Sequence, residues 1–446
     1  MMFNRLMKTR YIFYLLFVMH TGQVFAQVDK ASLGQKIKPA VFSLSMVMMH
    51  DVVNPPAASR YFAYCMLGAY TIVAQNDSSL RPLSSVIRSW PNNLSVNQSK
   101  TTYDPQIAAL YCILETGKQM LPSGYMLKEK EDSLLALLKK KKISNALLEQ
   151  SIAVAEGIAG QIVKYAATDD YNKLSALLRY TPVKGDAFWY PTPPAYIEAV
   201  EPNWKTVRPM IIDSCNQFKP KPPVLFSKDT VSSFYLLNKE VYAAVAYAKP
   251  EQQEIAAFWD CNPFAVSTSG HMSLGFKKIS PGAHWMNIIS IASEKAHLSF
   301  NRHITLLTMG ALTEMDAFIS CWDEKYRSNR IRPETYINRY MDAKWQPLLQ
   351  TPPFPEYPSG HSVVSAACAE VLTYFLGDHF SFTDNTEIMF ELQPRTFTSF
   401  RQAAQEAAIS RLYGGIHYMD AIENGLAEGK ALASYIIDKL QRAGVR

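Results

Sequence analysis

Cysteine is scarce and scattered in this chain. The six, Cys65, Cys112, Cys215, Cys261, Cys321 and Cys368, form no CxxC pair in 446 residues. That argues against a structural zinc site, and six in a chain of this size are too few for a disulfide scaffold. No apolar run after residue 26 reaches the roughly 18 residues of a spanning helix, which excludes a polytopic membrane enzyme. Strand signals are sparse, and there is no internal repeat or low-complexity tract. Excess charge is lacking too: 45 Lys and Arg face 39 Asp and Glu, a net +6. A nucleic-acid binder carries a denser basic signature. With 48% apolar and 19% charged residues the chain is not disordered as a whole.

What is present begins with a leader. Residues 1–10 carry Arg5, Lys8 and Arg10 with no acid, and Tyr11–Met19 is an apolar run. Val24-Phe25-Ala26 offers a cleavage point before Gln27. We therefore expect residues 1–26 to be a signal peptide, the remainder to be exported (periplasmic or secreted), and no membrane span after its removal. Removing those three positives leaves a net charge near +3, so any important positive charge must be local.

Apolar residues at three-to-four spacing predict helices over 57–75, 105–120, 126–140 and 145–168, and again over 232–258, 286–329, 362–377, 400–412 and 422–441. The fold class is all-α, built as helical bundles. Nine prolines between 182 and 223 forbid helix there and predict a long ordered wrap. The expected organisation is an N-terminal helical region at 27–180, the Pro-rich wrap at 181–230, and a catalytic helical domain at 231–446. Lys139 to Lys142 read as a solvated helix end.

Three short segments carry chemistry. In the first, Lys325 and Arg332 are seven apart, on one helix face if the helix continues until Pro333 stops it. In the second, Pro358-Ser359-Gly360-His361 precedes an apolar helix. Gly360 allows backbone N–H groups close to an anion, Ser359 offers a hydroxyl or a plain N-cap, and His361 can donate a proton. In the third, Arg411 ends a helical run, Gly414-Gly415 breaks it, and His417 follows. Read singly, these are a basic helix end, a cap and a stray histidine. Together they suit an oxyanion: cations for its oxygens, one His to bond the central atom, another for acid–base work.

Lys325-x6-Arg332-Pro333, Pro358-Ser359-Gly360-His361 and Ser410-Arg411-x5-His417, in this order, resemble the signature of the type 2 phosphatidic acid phosphatase and vanadium-dependent haloperoxidase superfamily. Phe258-Trp259-Asp260, Pro281-Gly282-Ala283-His284-Trp285 and Trp204-x3-Arg208-Pro209 resemble segments of its soluble bacterial haloperoxidase-like branch. The resemblance implies that Lys325, Arg332 and Arg411 bind equatorial oxygens of vanadate or phosphate, with Ser359 and the Gly360 amide completing the cradle. It implies that His417 is the axial vanadium ligand or a phosphate-accepting nucleophile, that His361 is the acid–base residue, and that Trp322 and Phe354 line a halide pocket. The phosphatase pattern continues His-x3-Asp. Here Ala421 occupies that place and Asp420 comes one position early, about 100° away on a helix, so another group, such as a backbone carbonyl, is expected to orient His417. Asp316 and Asp323 are candidate partners of His361, or of Arg327, Arg330 or Lys325.

The leading expectation is a vanadium-dependent haloperoxidase that oxidises iodide or bromide with hydrogen peroxide to hypohalous acid, with vanadate as cofactor. The alternative is an exported acid phosphatase hydrolysing phosphate monoesters through a phosphohistidine in the same pocket, without a cofactor. Vanadate mimics the phosphoryl transition state, so one residue set serves both. A third class, an oxyanion-binding protein without catalysis, would not need both His361 and His417.

Overall fold

The computed structural model describes residues 33–92, 94–96, 102–269 and 272–445; the expected leader at 1–26 lies outside them. Thirteen α-helices and two small hairpins are seen among the described residues. The N-terminal helices are α1 (Ile37–His50), α2 (Pro55–Asn76), α3 (Pro105–Met120), α4 (Lys128–Lys140) and α5 (Asn145–Ala166). After the wrap come α6 (Ser233–Ala246), α7 (Pro250–Phe258), α8 (Pro281–Lys295), α9 (Phe300–Ser328), α10 (Pro333–Tyr340), α11 (Gly360–Leu376), α12 (Phe400–Tyr413) and α13 (Met419–Arg442). Strands β1 (Ala265–Ser269) and β2 (Met272–Phe276) pair antiparallel, as do β3 (Phe382–Asp384) and β4 (Arg395–Phe397).

Helix starts follow the capping chemistry of the sequence. Asn54, Asp104, Ser232, Ser280, Ser299, Ser359 and Ser399 each accept a first-turn backbone N–H, often with proline just inside. Pro250 divides the expected 232–258 helix into α6 and α7, and a turn at 296–299 divides 286–329 into α8 and α9.

Helix α9 is the centre of the molecule. It packs along α2 on one side and α11 on another, and α11 in turn lies against α12 and α13. By length and composition α9 could cross a membrane, yet its most apolar stretch is entirely buried inside the protein. One continuous apolar core runs from Leu33 to Val445 and takes residues from helices on both sides of the wrap. All six cysteines are free thiols.

The wrap is ordered by its aromatic anchors and by one carboxylate. Trp189 and Trp204 are buried. Asp316, on α9, accepts backbone N–H groups from Met210, Ile211 and Ile212 at 2.6–2.8 Å. Val200 bonds Pro353, and Phe188 bridges to Arg330. The wrap thereby meets the segments that hold the three motifs.

The first motif departs from its expected geometry. Helix α9 ends at Ser328, where Asn329 takes a left-handed conformation (φ 48°) and its N–H caps Lys325. Pro333 starts α10; it does not stop α9. The residue before a proline favours extended backbone, and Arg332 has φ −81°, ψ 151°. Lys325 and Arg332 therefore do not share a helix face; they converge by tertiary folding.

Candidate active site

Helix α9 delivers Trp322 and Lys325, the turn after it delivers Arg332, the α11 start delivers Ser359, Gly360 and His361, and the α12 end with its Gly break delivers Arg411 and His417. Trp322, Phe354, Gly360, His361, Arg411 and His417 line one pocket. Lys325, Arg332, Ser359, Arg411 and His417 are all buried. Three cations and two histidines in one buried place strain the ordinary protonation states. Burial pushes the Lys325 ammonium down to about 8 and the Arg332 guanidinium down to about 10. Burial and the neighbouring cations hold both His417 and His361 well below the usual histidine range. An anion arriving here would reverse each of these penalties at once.

The carboxylate that orients His417 is Glu356, which the sequence reading missed. Glu356 Oε1 lies 2.8 Å from His417 Nδ1 and also accepts the Tyr418 backbone N–H at 3.0 Å. The backbone carbonyl expected in this role is not the partner. Glu356 is completely buried, and Arg330 Nε donates to its other oxygen at 2.6 Å. Arg330 continues to Asp420, at 2.6 and 2.8 Å, and lies between the rings of Tyr357 and Tyr418. Asp420 thus acts two links away from His417 along an Asp420–Arg330–Glu356 chain. With Nδ1–H given to Glu356, the lone pair of Nε2 faces Arg332, whose Nη1 is 3.2 Å away.

The expected anion-binding groups are partly open and partly satisfied. Arg332 donates from Nε to Phe354 O and from Nη1 to Ile416 O, while its buried Nη2 has no partner. The Nε2 atom of His361 is likewise buried without one. Arg411 gives Nε to Ser410 Oγ (3.0 Å) and Nη2 to Trp259 O (2.7 Å). Lys325 differs from expectation: its ammonium donates to the carbonyls of Pro355, Glu356 and Pro358, which uses all three of its hydrogens. Lys325 supplies charge at once, and a direct bond only by exchanging a carbonyl. Ser359 is an N-cap, accepting the Ser362 N–H at 3.3 Å, as the sequence allowed.

The aspartates proposed for His361 are elsewhere. Asp316 is spent on the wrap, and Asp323 pairs with Arg327 at 2.9 Å. Both lie on α9 facing other neighbours. The expected aromatic pair is brought together: the rings of Trp322 and Phe354 are 5.0 Å apart, and the Lys325 ammonium lies 5.7 and 5.1 Å from their centroids.

Comparison with known proteins places this arrangement. Residues 305–444 match a family model described as the VCPO second helical-bundle domain. A crystal structure of a bacterial vanadium-dependent iodoperoxidase is 41% identical, covers 91% of this chain and 96% of its own, and superposes with a TM-score of 0.85. The holo form of a bacterial vanadium-dependent chloroperoxidase shares the fold at 15% identity and a TM-score of 0.66, covering 89% of this chain and 93% of its own. A comparison with curated protein sequences finds no match. A cationic pocket with two partnerless buried nitrogens, on a fold shared over nine-tenths of its length, makes the chain a member of the vanadium-dependent haloperoxidases.

Proposed function

We propose that this haloperoxidase holds vanadate through Arg332, Arg411, Ser359, Gly360 and the charge of Lys325, with Nε2 of His417 as the vanadium ligand, and that iodide is its foremost halide. The partnerless Arg332 Nη2 carries the fit, since a buried donor without an acceptor costs about 1–3 kcal/mol that an oxyanion would recover. Bound vanadate supplies the oxidising chemistry, activating hydrogen peroxide toward two-electron oxidation of halide to hypohalous acid.

The chain's own residues do the rest. Glu356 keeps the proton of His417 on Nδ1, so Nε2 stays a neutral donor atom. His361 is neutral at rest, and its free Nε2 can accept a proton from peroxide and return it to the leaving oxygen. Lys325 and Arg332 concentrate positive charge where negative charge gathers, in a pocket walled against water by Trp322 and Phe354. The single observation that supports halide oxidation is this aromatic pair beside the Lys325 ammonium, a resting place for a large polarisable anion. Iodide is preferred because the 41% identical relative is a vanadium-dependent iodoperoxidase. Export rests on the basic and apolar pattern of residues 1–26.

The test uses the chain from Gln27, stripped of vanadium, in phosphate-free buffer. Orthovanadate is titrated while iodide and bromide oxidation by hydrogen peroxide are followed, with aryl-phosphate hydrolysis alongside. Saturable oxidation, faster with iodide and abolished in His417→Ala, is expected. Phosphate-ester turnover that vanadate only inhibits, without halide oxidation, would refute the reading.

A further inference from the structure

Beside the reaction pocket lies a second cluster that the chemistry above does not use. Cys261 follows α7, His284 is on the first turn of α8, and Glu387 is in the short 3-10 turn after β3. Their side chains are 3%, 0% and 2% exposed. His284 Nδ1 lies 3.4 Å from Cys261 Sγ and 3.2 Å from Glu387 Oε1, and the three donor atoms are all within 4.8 Å of one another. The other ring nitrogen, Nε2, is 2.7 Å from Asp384 Oδ2. Asp384 is held in turn by the Thr386 N–H at 2.9 Å.

We propose that Cys261, His284 and Glu387 bind a divalent metal ion, zinc by the chemistry of the donors, with Asp384 orienting the histidine. Three observations converge. Zinc bonds of about 2.0–2.3 Å at tetrahedral angles set N–O donor pairs about 3.3 Å and N–S pairs about 3.6 Å apart, and the two measured edges from His284, 3.2 Å to Glu387 and 3.4 Å to Cys261, are each slightly shorter than that. Glu387 Oε1 lies 3.2 Å from His284 Nδ1 yet makes no hydrogen bond, which leaves a buried carboxylate oxygen able to take a ligand. A metal-bound histidine almost always gives its second N–H to a carboxylate or carbonyl, and Asp384 stands there. One thiolate, one imidazole and one carboxylate form a borderline-soft set suited to zinc, leaving a fourth position for water.

The ion would join three segments that are distant in sequence. It would also brace the reaction pocket. The Trp259 ring stacks on His284 with centroids 4.7 Å apart and 19° between planes, and the Trp259 carbonyl holds Arg411. Positions 261, 284 and 387 share no local spacing, which is why scattered cysteines read as evidence against zinc.

The experiment uses the full exported chain, purified without a polyhistidine tag, with zinc and vanadium counted separately by elemental analysis. The chelated protein is then titrated with cobalt(II) and its absorption recorded. Close to one zinc per chain is expected, and one cobalt should bring a thiolate-to-cobalt charge-transfer band. Cys261→Ser should lose the band, and His284→Asn should lose metal retention. If a substituted chain does not fold, the cobalt spectrum of the unsubstituted chain decides. No retained zinc together with no thiolate band would overturn the proposal and leave His284 as an imidazolium between two carboxylates. A band that survives Cys261→Ser would overturn it equally.

Discussion

Glu356 fixes which nitrogen of His417 faces the pocket, and it does so as one of a line of buried charges. Replacing it with glutamine keeps the volume but removes the charge that anchors both Nδ1–H and Arg330. Carboxylates behind metal-bound histidines are worth about 10–100-fold in affinity or activity. Glu356→Gln should therefore weaken vanadate binding and halide oxidation by that order. Equilibrium dialysis of vanadate together with initial rates checks this, and an unchanged affinity would show that His417 is oriented by something else. Lys325 sets a pH dependence. Burial holds it at about 8 against an ordinary 10.5, so its charge is present below about 8 and lost above. Vanadate affinity should fall as pH rises through that value, by more in the native chain than in Lys325→Met, in which only the anion's own titration remains. The same depression means that the anion-free fold gains stability from this group as pH rises from about 8 to 10.5, because the unfolded chain then holds the extra proton. Calorimetric titrations at several pH values on both proteins separate the terms. At this scale the sequence was informative about Lys325, Arg332, Ser359, Gly360, His361, Arg411 and His417, because their short spacings and chemistry are local. Glu356 stood two residues before Pro358 and Arg330 two before Arg332, but a lone acid or arginine in a loop has no role until the tertiary fold supplies its partner. The offset of Asp420 was visible as a departure, and its link through Arg330 was not.

Helix crossings decide how closely the motif-bearing elements approach. On α13, Gly425 and Gly429 lie one turn apart against α11. A Cβ on Gly429 would stand 2.1 Å from the Val363 carbonyl oxygen, and one on Gly425 would stand 3.0 Å from the Ser359 carbonyl oxygen. Backbone cannot step aside as a flexible side chain can, so Gly429→Ala should cost about 1–3 kcal/mol and shift the start of α11, with His361 on it. Urea unfolding gives the first quantity and turnover the second; a stable variant of full activity would show that the crossing is looser than it looks. Apolar periodicity located most helices, since α2, α3, α5, α11, α12 and α13 bury one face or more. It failed where chain breaks have non-local causes. Helix α10 is eight residues long, too short for a periodic signal, and the left-handed Asn329 that ends α9 carries no glycine to announce it. The hairpin β1–β2 lies in a Ser- and Gly-rich stretch that reads as loop.

The described residues are bound through one large apolar core, two smaller clusters and the wrap, which ties Asp316 at the centre of α9 to Met210, Ile211 and Ile212. An anion that binds only the folded chain stabilises all of it by mass action, about 2.7 kcal/mol at a hundredfold excess over Kd. Orthovanadate should raise the melting temperature of the stripped enzyme, phosphate should compete, and His417→Ala should show a smaller shift. The wrap was legible as proline-rich and aromatic, but its path past the α9 turn was not, because Asp316 had several cationic alternatives within reach in sequence. The most direct measurement is X-ray absorption at the vanadium edge of the loaded enzyme, paired with iodide oxidation on the same sample. A nitrogen ligand at bonding distance that disappears in His417→Ala along with turnover is the expected result. Oxygen-only coordination in a fully active native enzyme would contradict the assignment of His417 Nε2 and of the Glu356 chain behind it.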